Sequence, residues 1–272
     1  MPRQRGEPRP GAEELLHTLS RLAGEVLART KLQQARAELA IALQRTMLPD
    51  ELPEAPGLRT AARYTPAREG LDVGGDWYDA FPMPGGAIGI VIGDVQGHDV
   101  DAAAFVGQVR TGLRVVAGIT SDPGEILARV NDLLVSLEPD LFVTCSFYRY
   151  DPATGELADA RAGHVPTIRA QPGGHSEVLL DAGGLPLGVF AGQEYPVTRR
   201  RLTTPGVFVL LTDGVVEGPD FPLGRGLERV ARLARAEVGA DPDVLAAHVL
   251  AVADLTGHSD DAAVLVVSHE GT

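Results

Sequence analysis

Apolar residues recur along this chain at two periods, and the switch between them marks a change of architecture. From about Glu13 to Met47 there is no proline, and apolar side chains return at Leu15, Leu19, Leu22 and Val26. A second phase runs through Leu32, Ala35, Leu39 and Leu43. This is the spacing of one face of a long helix, with a phase shift near residues 24–31. Two readings stand: the stripe packs on its own domain, or it pairs with a second copy of itself. Nothing before it in the sequence could cover it, so we expect a homodimer through this helix.

Past the helix, Pro49, Pro53 and Pro56 punctuate a linker over residues 49–57, and the period shortens to that of strands. Strands are predicted at 59–64, 73–81 and 87–95, the last two joined by a turn over 82–86. Helices follow at 99–118 and 123–137. The second is amphipathic through Ile126, Leu127, Val130, Leu133 and Leu134 and has proline at its start. Strands resume at 141–150 and 157–170 around the turn DPATGE, then at 178–180 and 197–201. A strand over 207–212 precedes helices at 227–237 and 242–255, and 262–269 closes the chain. Hairpins and helical pairs, rather than βαβ alternation, predict an α+β layered fold with largely antiparallel sheets. The expected division is a disordered tail over 1–12, the regulatory or dimerisation helix over 13–48, the linker, and one domain over 58–272.

Composition narrows the function classes. The 272 residues carry a formal net charge of −13, which argues against a nucleic-acid surface, since that would need a basic face. No apolar run approaches the ~20 residues that span a bilayer, and the first residues lack the apolar centre of a secretory signal. We therefore expect a cytoplasmic protein with no membrane and no nucleic-acid partner. The single cysteine, Cys145, excludes an internal disulfide and a cysteine-based zinc site. It lies in the alternating run LFVTCSFYRY and reads as a packed thiol. A cysteine phosphatase would need arginine six residues later, where Asp151 stands.

Candidate chemistry lies in four aspartate-bearing segments: GGDWYD (74–79), GDVQGH (93–98), LTDGVVE (211–217) and DDAAVLVV (260–267). In each, a carboxylate sits at the edge of an apolar run or beside glycine, which lets other groups approach the backbone closely. With a turn centred near Pro84, Asp76 and Asp94 fall almost opposite each other in an antiparallel pair. Asp213 ends one apolar run and Asp260 begins another. If those two strands are adjacent and antiparallel, their acids share one sheet end. Taken singly, Asp-Gly after a strand is usually only a turn, and Asp151 and Asp181 are read that way. Together, the four segments are compatible with one sheet end, where clustered carboxylates would repel unless a cation lay between them. Oxygen-only ligation suits magnesium or manganese.

The ordered series GGDWYD, GDVQGH, AGHVPTI (162–168), GGLPLGV (183–189), TDGVVE and DDAAVLVV, with LQRTMLP (43–49) and ARYTPA (62–67) upstream, resembles the stage II sporulation E/RsbU-type branch of the PP2C (PPM) serine/threonine phosphatases. The resemblance runs from about Leu43 to Val267. It implies a four-layer α-β-β-α sandwich holding two Mn²⁺ or Mg²⁺ ions at one edge. Asp94 would bridge both ions, with the backbone carbonyl of Val95 on one of them. Asp213 and Asp260 would complete the second site, and Asp76 would serve the first directly or through water. Asp79 and Asp261 would orient ligands or brace the fold, and Glu217 would cap or brace the loop after Asp213.

The implied activity is hydrolysis of phosphoserine or phosphothreonine on a regulatory protein, a phosphorylated anti-anti-sigma-like factor of the STAS type. Asp94 and Asp213 would act through a water activated by two metals. His98 is either the acid that protonates the leaving alkoxide or a structural histidine, and His164 is expected to bond locally where a strand bends at Pro166. Asp99 departs from the family's glycine at that position. It serves as a helix N-cap or occupies a backbone conformation with positive φ. The alternative function is a catalytically weak, phosphoprotein-binding scaffold of the same fold. A metal-dependent nuclease or cyclase would want a basic channel or a Gly-Lys phosphate loop, and the chain has neither.

Overall fold

The computed structural model describes residues 11–49, 51–66, 74–97, 100–137, 141–257 and 260–271. Most of the expected tail, the predicted first residue of the second strand (Val73), and both His98 and Asp99 lie outside the described residues. In chain order the elements are α1 (Ala12–Met47), β1 (Leu58–Thr65), β2 (Asp76–Pro82), β3 (Ile88–Val95), α2 (Val100–Ala117), α3 (Pro123–Ser136), β4 (Val143–Asp151) and β5 (Glu156–Ala162). They continue through β6 (Ile168–Gln171), β7 (His175–Val178), β8 (Val197–Arg201), β9 (Gly206–Leu211), α4 (Asp213–Val216), α5 (Leu223–Ala236), α6 (Pro242–Leu250), α7 (Ala253–Thr256) and β10 (Ala262–His269).

The strands form two five-stranded sheets, ordered β1-β10-β9-β6-β7 and β2-β3-β4-β5-β8. Every ladder between named strands is antiparallel. Three apolar clusters separate four layers. Trp77, Val91 and Phe147 meet Leu113, Ile126 and Leu127 of α2 and α3. Tyr78, Ile90, Tyr148, Phe208 and Leu265 fill the space between the sheets. Ile168, Val209 and Val264 meet Val230 and Leu245 of α5 and α6. The chain thus has the α-β-β-α sandwich expected from its sequence. Strands β3, β9 and β10 are covered on both faces, which is why IGIVIG, GVFVLL and AAVLVV read as continuous apolar runs rather than alternating ones.

Three segments differ from expectation. The single strand expected over 157–170 is two strands in different sheets. Gly163 has φ of 65° and abuts Pro186, and the chain there turns from one sheet into the other. The helix expected over 242–255 is broken after Leu250 into α6 and α7. The strand expected over 178–180 is instead β7, His175–Val178, the hairpin partner of β6.

Helix α1 is continuous through the region of the phase shift and is about 54 Å long at 1.5 Å per residue. Leu19, Leu22, Val26 and Leu32 are exposed on it, and it packs against α2. No helix among the described residues is long and apolar enough to cross a membrane.

The second sheet is joined to α2 by charge as well as by apolar packing. Asp79 is 1% exposed and takes two hydrogen bonds from Arg114, each 2.7 Å, and one from Arg110 Nε at 3.2 Å. The Arg114 guanidinium also lies 4.8 Å from the centre of the Phe81 ring. Replacing both arginines by methionine would leave that carboxylate buried and unpaired. We expect a loss of roughly 3 kcal/mol in urea unfolding. Asp79→Asn should cost less, because the half-exposed Arg114 can turn to water. A larger loss in Asp79→Asn than in the double variant would refute this account of the pair.

Candidate active site

Two hairpin ends, one from each sheet, carry the acids. In the first, Asp76 and Asp94 are direct partners in the β2–β3 ladder. In the second, Leu211 of β9 pairs with Val264 of β10, so Asp213, just past one strand, and Asp260, just before the other, leave the sheet at the same end. The acids therefore come from the same end of two facing sheets, not from one sheet. Asp94, Asp213, Glu217 and Asp260 line one cavity of about 560 Å³, together with Thr144, Arg161 and His164 among others. Asp76 and Asp261 are buried beside it, 5% and 1% exposed.

Thr212 ties the two sheets together at this point. Its Oγ1 donates to Asp76 Oδ2 at 2.7 Å and accepts the Ala263 N–H at 2.9 Å. Its own N–H reaches the Ala263 carbonyl at 3.1 Å. Tyr64 of β1 is hydrogen-bonded to Asp261. Glu217 closes α4 by donating its N–H to the Asp213 carbonyl at 2.7 Å.

Glycines make the approach possible. A Cβ at Gly75 would collide with the Val95 carbonyl oxygen and lie 2.9 Å from the Gly97 carbonyl oxygen and 3.0 Å from Asp94 Oδ1. Three oxygens therefore converge where a side chain would otherwise be. A Cβ at Gly74 would run into the Asp261 carboxylate, and one at Gly214 into the Asp261 carbonyl.

This convergence is electrostatically costly. Burial, then Asp213, Asp260 and Asp261, push the Asp94 carboxyl up to about 8. Asp76 is held well above the usual carboxylate range by burial and by Asp94 and Asp261, with the Thr212 hydrogen bond opposing. Asp213 is raised by burial and by Asp260. Among the described residues no three histidine, cysteine, aspartate or glutamate side chains are gathered as tightly as one bound ion would draw them. The residues nevertheless fit a divalent cation. The donors are all oxygen, they include a backbone carbonyl, and their mutual repulsion is what a cation relieves.

Of the residues singled out from the sequence, Asp76, Asp94, Val95, Asp213, Asp260 and Asp261 are brought together. Asp79 is not: it stands on the opposite face of β2, held by α2. His98 lies outside the described residues. His164 bonds locally through its carbonyl, which accepts from Arg161 Nη1 at 2.9 Å, but its ring reaches further. Its Nδ1 lies 2.9 Å from Thr144 Oγ1, and Thr144 is the β4 partner of Asp94. Burial pushes the His164 imidazole down to about 3, so it is neutral near pH 7. Sequence reading missed Thr212 and Tyr64, whose only signal is their place directly beside the acid-bearing strand ends.

A family model described as Stage II sporulation protein E (SpoIIE) matches residues 84–270, a span that includes Asp94, Asp213 and Asp260. Phosphoserine phosphatase RsbU of Bacillus subtilis (strain 168) is 26% identical over 188 residues, 68% of this chain and 55% of that protein. The crystal structure of the RsbU and RsbW domains of Rv1364c from Mycobacterium tuberculosis matches with a TM-score of 0.74 at 30% identity, covering 83% of this chain and 63% of that one. The PP2C phosphatase domain of SpoIIE from Bacillus subtilis, solved with a fragment of its regulatory domain, matches with a TM-score of 0.67 at 20% identity, covering 78% and 63%. The chain thus spans little more than half the length of RsbU.

The raised acids set a pH dependence. Asp94 binds its proton more tightly folded, at about 8, than unfolded, at roughly 3.9, so its contribution to stability is lost as pH rises through 8. His164 and His269, pushed down to about 3 and about 4 by burial, act in the opposite sense, but only below roughly pH 6.5. Between pH 6.5 and 8.5 the carboxylates act alone. We expect the melting temperature of the metal-free protein to fall across that interval and saturating Mn²⁺ to flatten the fall. A metal-free melting temperature that rises with pH there would contradict the arrangement.

Proposed function

We propose that this chain, which belongs to the Stage II sporulation protein E (SpoIIE) family, removes phosphate from phosphoserine or phosphothreonine on a regulatory protein. The observation that carries this reading is the meeting of Asp94, Asp213 and Asp260 on one cavity. Two Mn²⁺ or Mg²⁺ ions held there would supply the Lewis acidity that makes a water nucleophilic near neutral pH. In this reading Asp94 bridges the pair, the Val95 carbonyl and Asp76 serve one position, and Asp213 and Asp260 serve the other. Thr212 fixes the Asp76 carboxylate by its 2.7 Å hydrogen bond, while Tyr64 is hydrogen-bonded to the Asp261 carboxylate that stands beside Gly74. His164 is neutral and tied to Thr144, so it cannot donate a proton at neutral pH. That leaves His98 as the histidine to test as the acid for the departing alkoxide.

The relatives named phosphoserine phosphatases support a protein substrate, and a STAS-type anti-anti-sigma factor is the target we assign. A cytoplasmic, partner-switching setting goes with that assignment. The exposed stripe on α1 supports pairing of two copies through residues 13–48, with 49–57 as the linker to the catalytic domain at 58–272. The second reading is a catalytically weak, phosphoprotein-binding scaffold of the same fold.

Hydrolysis of p-nitrophenyl phosphate decides between the two. We expect turnover that depends on Mn²⁺ and falls roughly a hundredfold or more in Asp94→Asn. Equal rates with and without metal, or in the variant, would remove the enzyme reading and leave the scaffold.

A further inference from the structure

Residues 183–192, GGLPLGVFAG, form the longest stretch near the cavity without one charged or hydrogen-bonding side chain. Such a run would be expected to bury itself. Leu187 does, but Leu185, Val189 and Phe190 are 47%, 38% and 61% exposed.

Loose backbone does not explain this exposure. Leu187 exchanges two hydrogen bonds with Val143, at 2.8 and 3.0 Å. Gly184 accepts from the Gly163 N–H at 2.9 Å and donates to the Arg161 carbonyl at 2.8 Å. Asn131, fully buried on α3, donates to the Phe190 carbonyl at 2.8 Å and accepts the Gly188 N–H at 3.0 Å. Asp132 takes the Gly192 N–H at 2.8 Å. The segment is clamped along its length, and its apolar side chains are presented outward.

Its place matters. Arg161 and Gly163, which hold one end, line the cavity, as does the part-exposed Phe142 next to Val143. Phe142 thus stands in the cavity wall, and the segment that carries Leu185, Val189 and Phe190 is bonded to Val143, Arg161 and Gly163 beside it. Arg161 and bound cations would act only within the cavity. Outside the cavity charge cannot supply the attraction, because the chain carries −13 and a phosphate ester is itself anionic. Rigid apolar side chains can, since little conformational freedom is lost when they are covered.

We propose that Phe142, Leu185, Val189 and Phe190 form the docking surface for apolar side chains flanking the phosphorylated residue of a partner protein. This rests on the phosphatase reading above. Two synthetic phosphoserine peptides of equal length and net charge test it, one with leucine and phenylalanine beside the phosphoserine, the other with glutamine and serine. With saturating Mn²⁺, the wild-type kcat/KM should favour the apolar peptide by about tenfold. Phe190→Ser should bring that ratio near one, Phe190→Leu should restore most of it, and Leu185→Ser gives an independent reading from the same loop. A ratio near one in the wild type, or a ratio unchanged in both serine variants, overturns the docking surface while p-nitrophenyl phosphate is still hydrolysed. Absence of turnover on all three substrates instead overturns the phosphatase reading, and this inference with it.

Discussion

Four carboxylates, from the buried Asp76 to the exposed Asp213 and Asp260, repel one another, and the architecture around them is organised to tolerate that repulsion. Two like charges about 5 Å apart cost roughly 3 kcal/mol at an effective dielectric near 20. Asp76 and Asp94 are ladder partners, and Asp213 and Asp260 join them from the facing sheet. What holds them there is not local. Both faces of β3, β9 and β10 are buried in apolar clusters, so the strand ends cannot splay without exposing core. Thr212 adds a polar stitch at the point of greatest strain, using its hydroxyl once as donor and once as acceptor. Glycines at 74, 75 and 214 remove the side chains that would keep the oxygens apart.

Strand β2 displays two solutions to the same problem, one on each face. Asp79 is 1% exposed, and two arginines of α2 pair with it. Asp76, three residues earlier, has no arginine or lysine partner among the described residues and is raised far above the ordinary range. One acid is paired with the chain's own cations, while the other accepts a hydrogen bond from Thr212. That contrast marks Asp76, and not Asp79, as the candidate site acid of this strand.

Much of this was legible in the sequence. The facing of Asp76 and Asp94 follows from counting outward from the Pro84 turn, because an antiparallel register is fixed by its turn. The shared end of β9 and β10 follows from acids placed just past and just before two apolar runs. Of the two roles open to Asp79 in the sequence, the brace of the fold follows from strand geometry: residues three apart point to opposite faces, which turns it toward α2 and away from Asp76. The break at Gly163 was not legible, because nothing local distinguishes a bend within one strand from a passage between two sheets. Only the packing of Pro186 against that glycine reveals it. The bond from His164 to Thr144 joins residues 20 apart through a register that no periodicity encodes.

The acids alone do not choose a substrate. A cluster of oxygens beside a cavity would serve any phosphate ester that reached it, so discrimination has to reside in what surrounds the mouth. The surroundings here are divided. Carboxylates line the cavity together with Phe142 and Arg161, and the clamped, wholly uncharged segment from Gly183 to Gly192 is bonded to Arg161 and Gly163 of that lining. A negatively charged protein that must receive an anionic group cannot rely on long-range attraction, and it gains selectivity by demanding apolar contact before the phosphate enters. The same arrangement disfavours free phosphate esters, which bring charge to the mouth but nothing to cover Phe190. Chemistry and recognition are therefore placed on different residues of one fold, and each can change without disturbing the other.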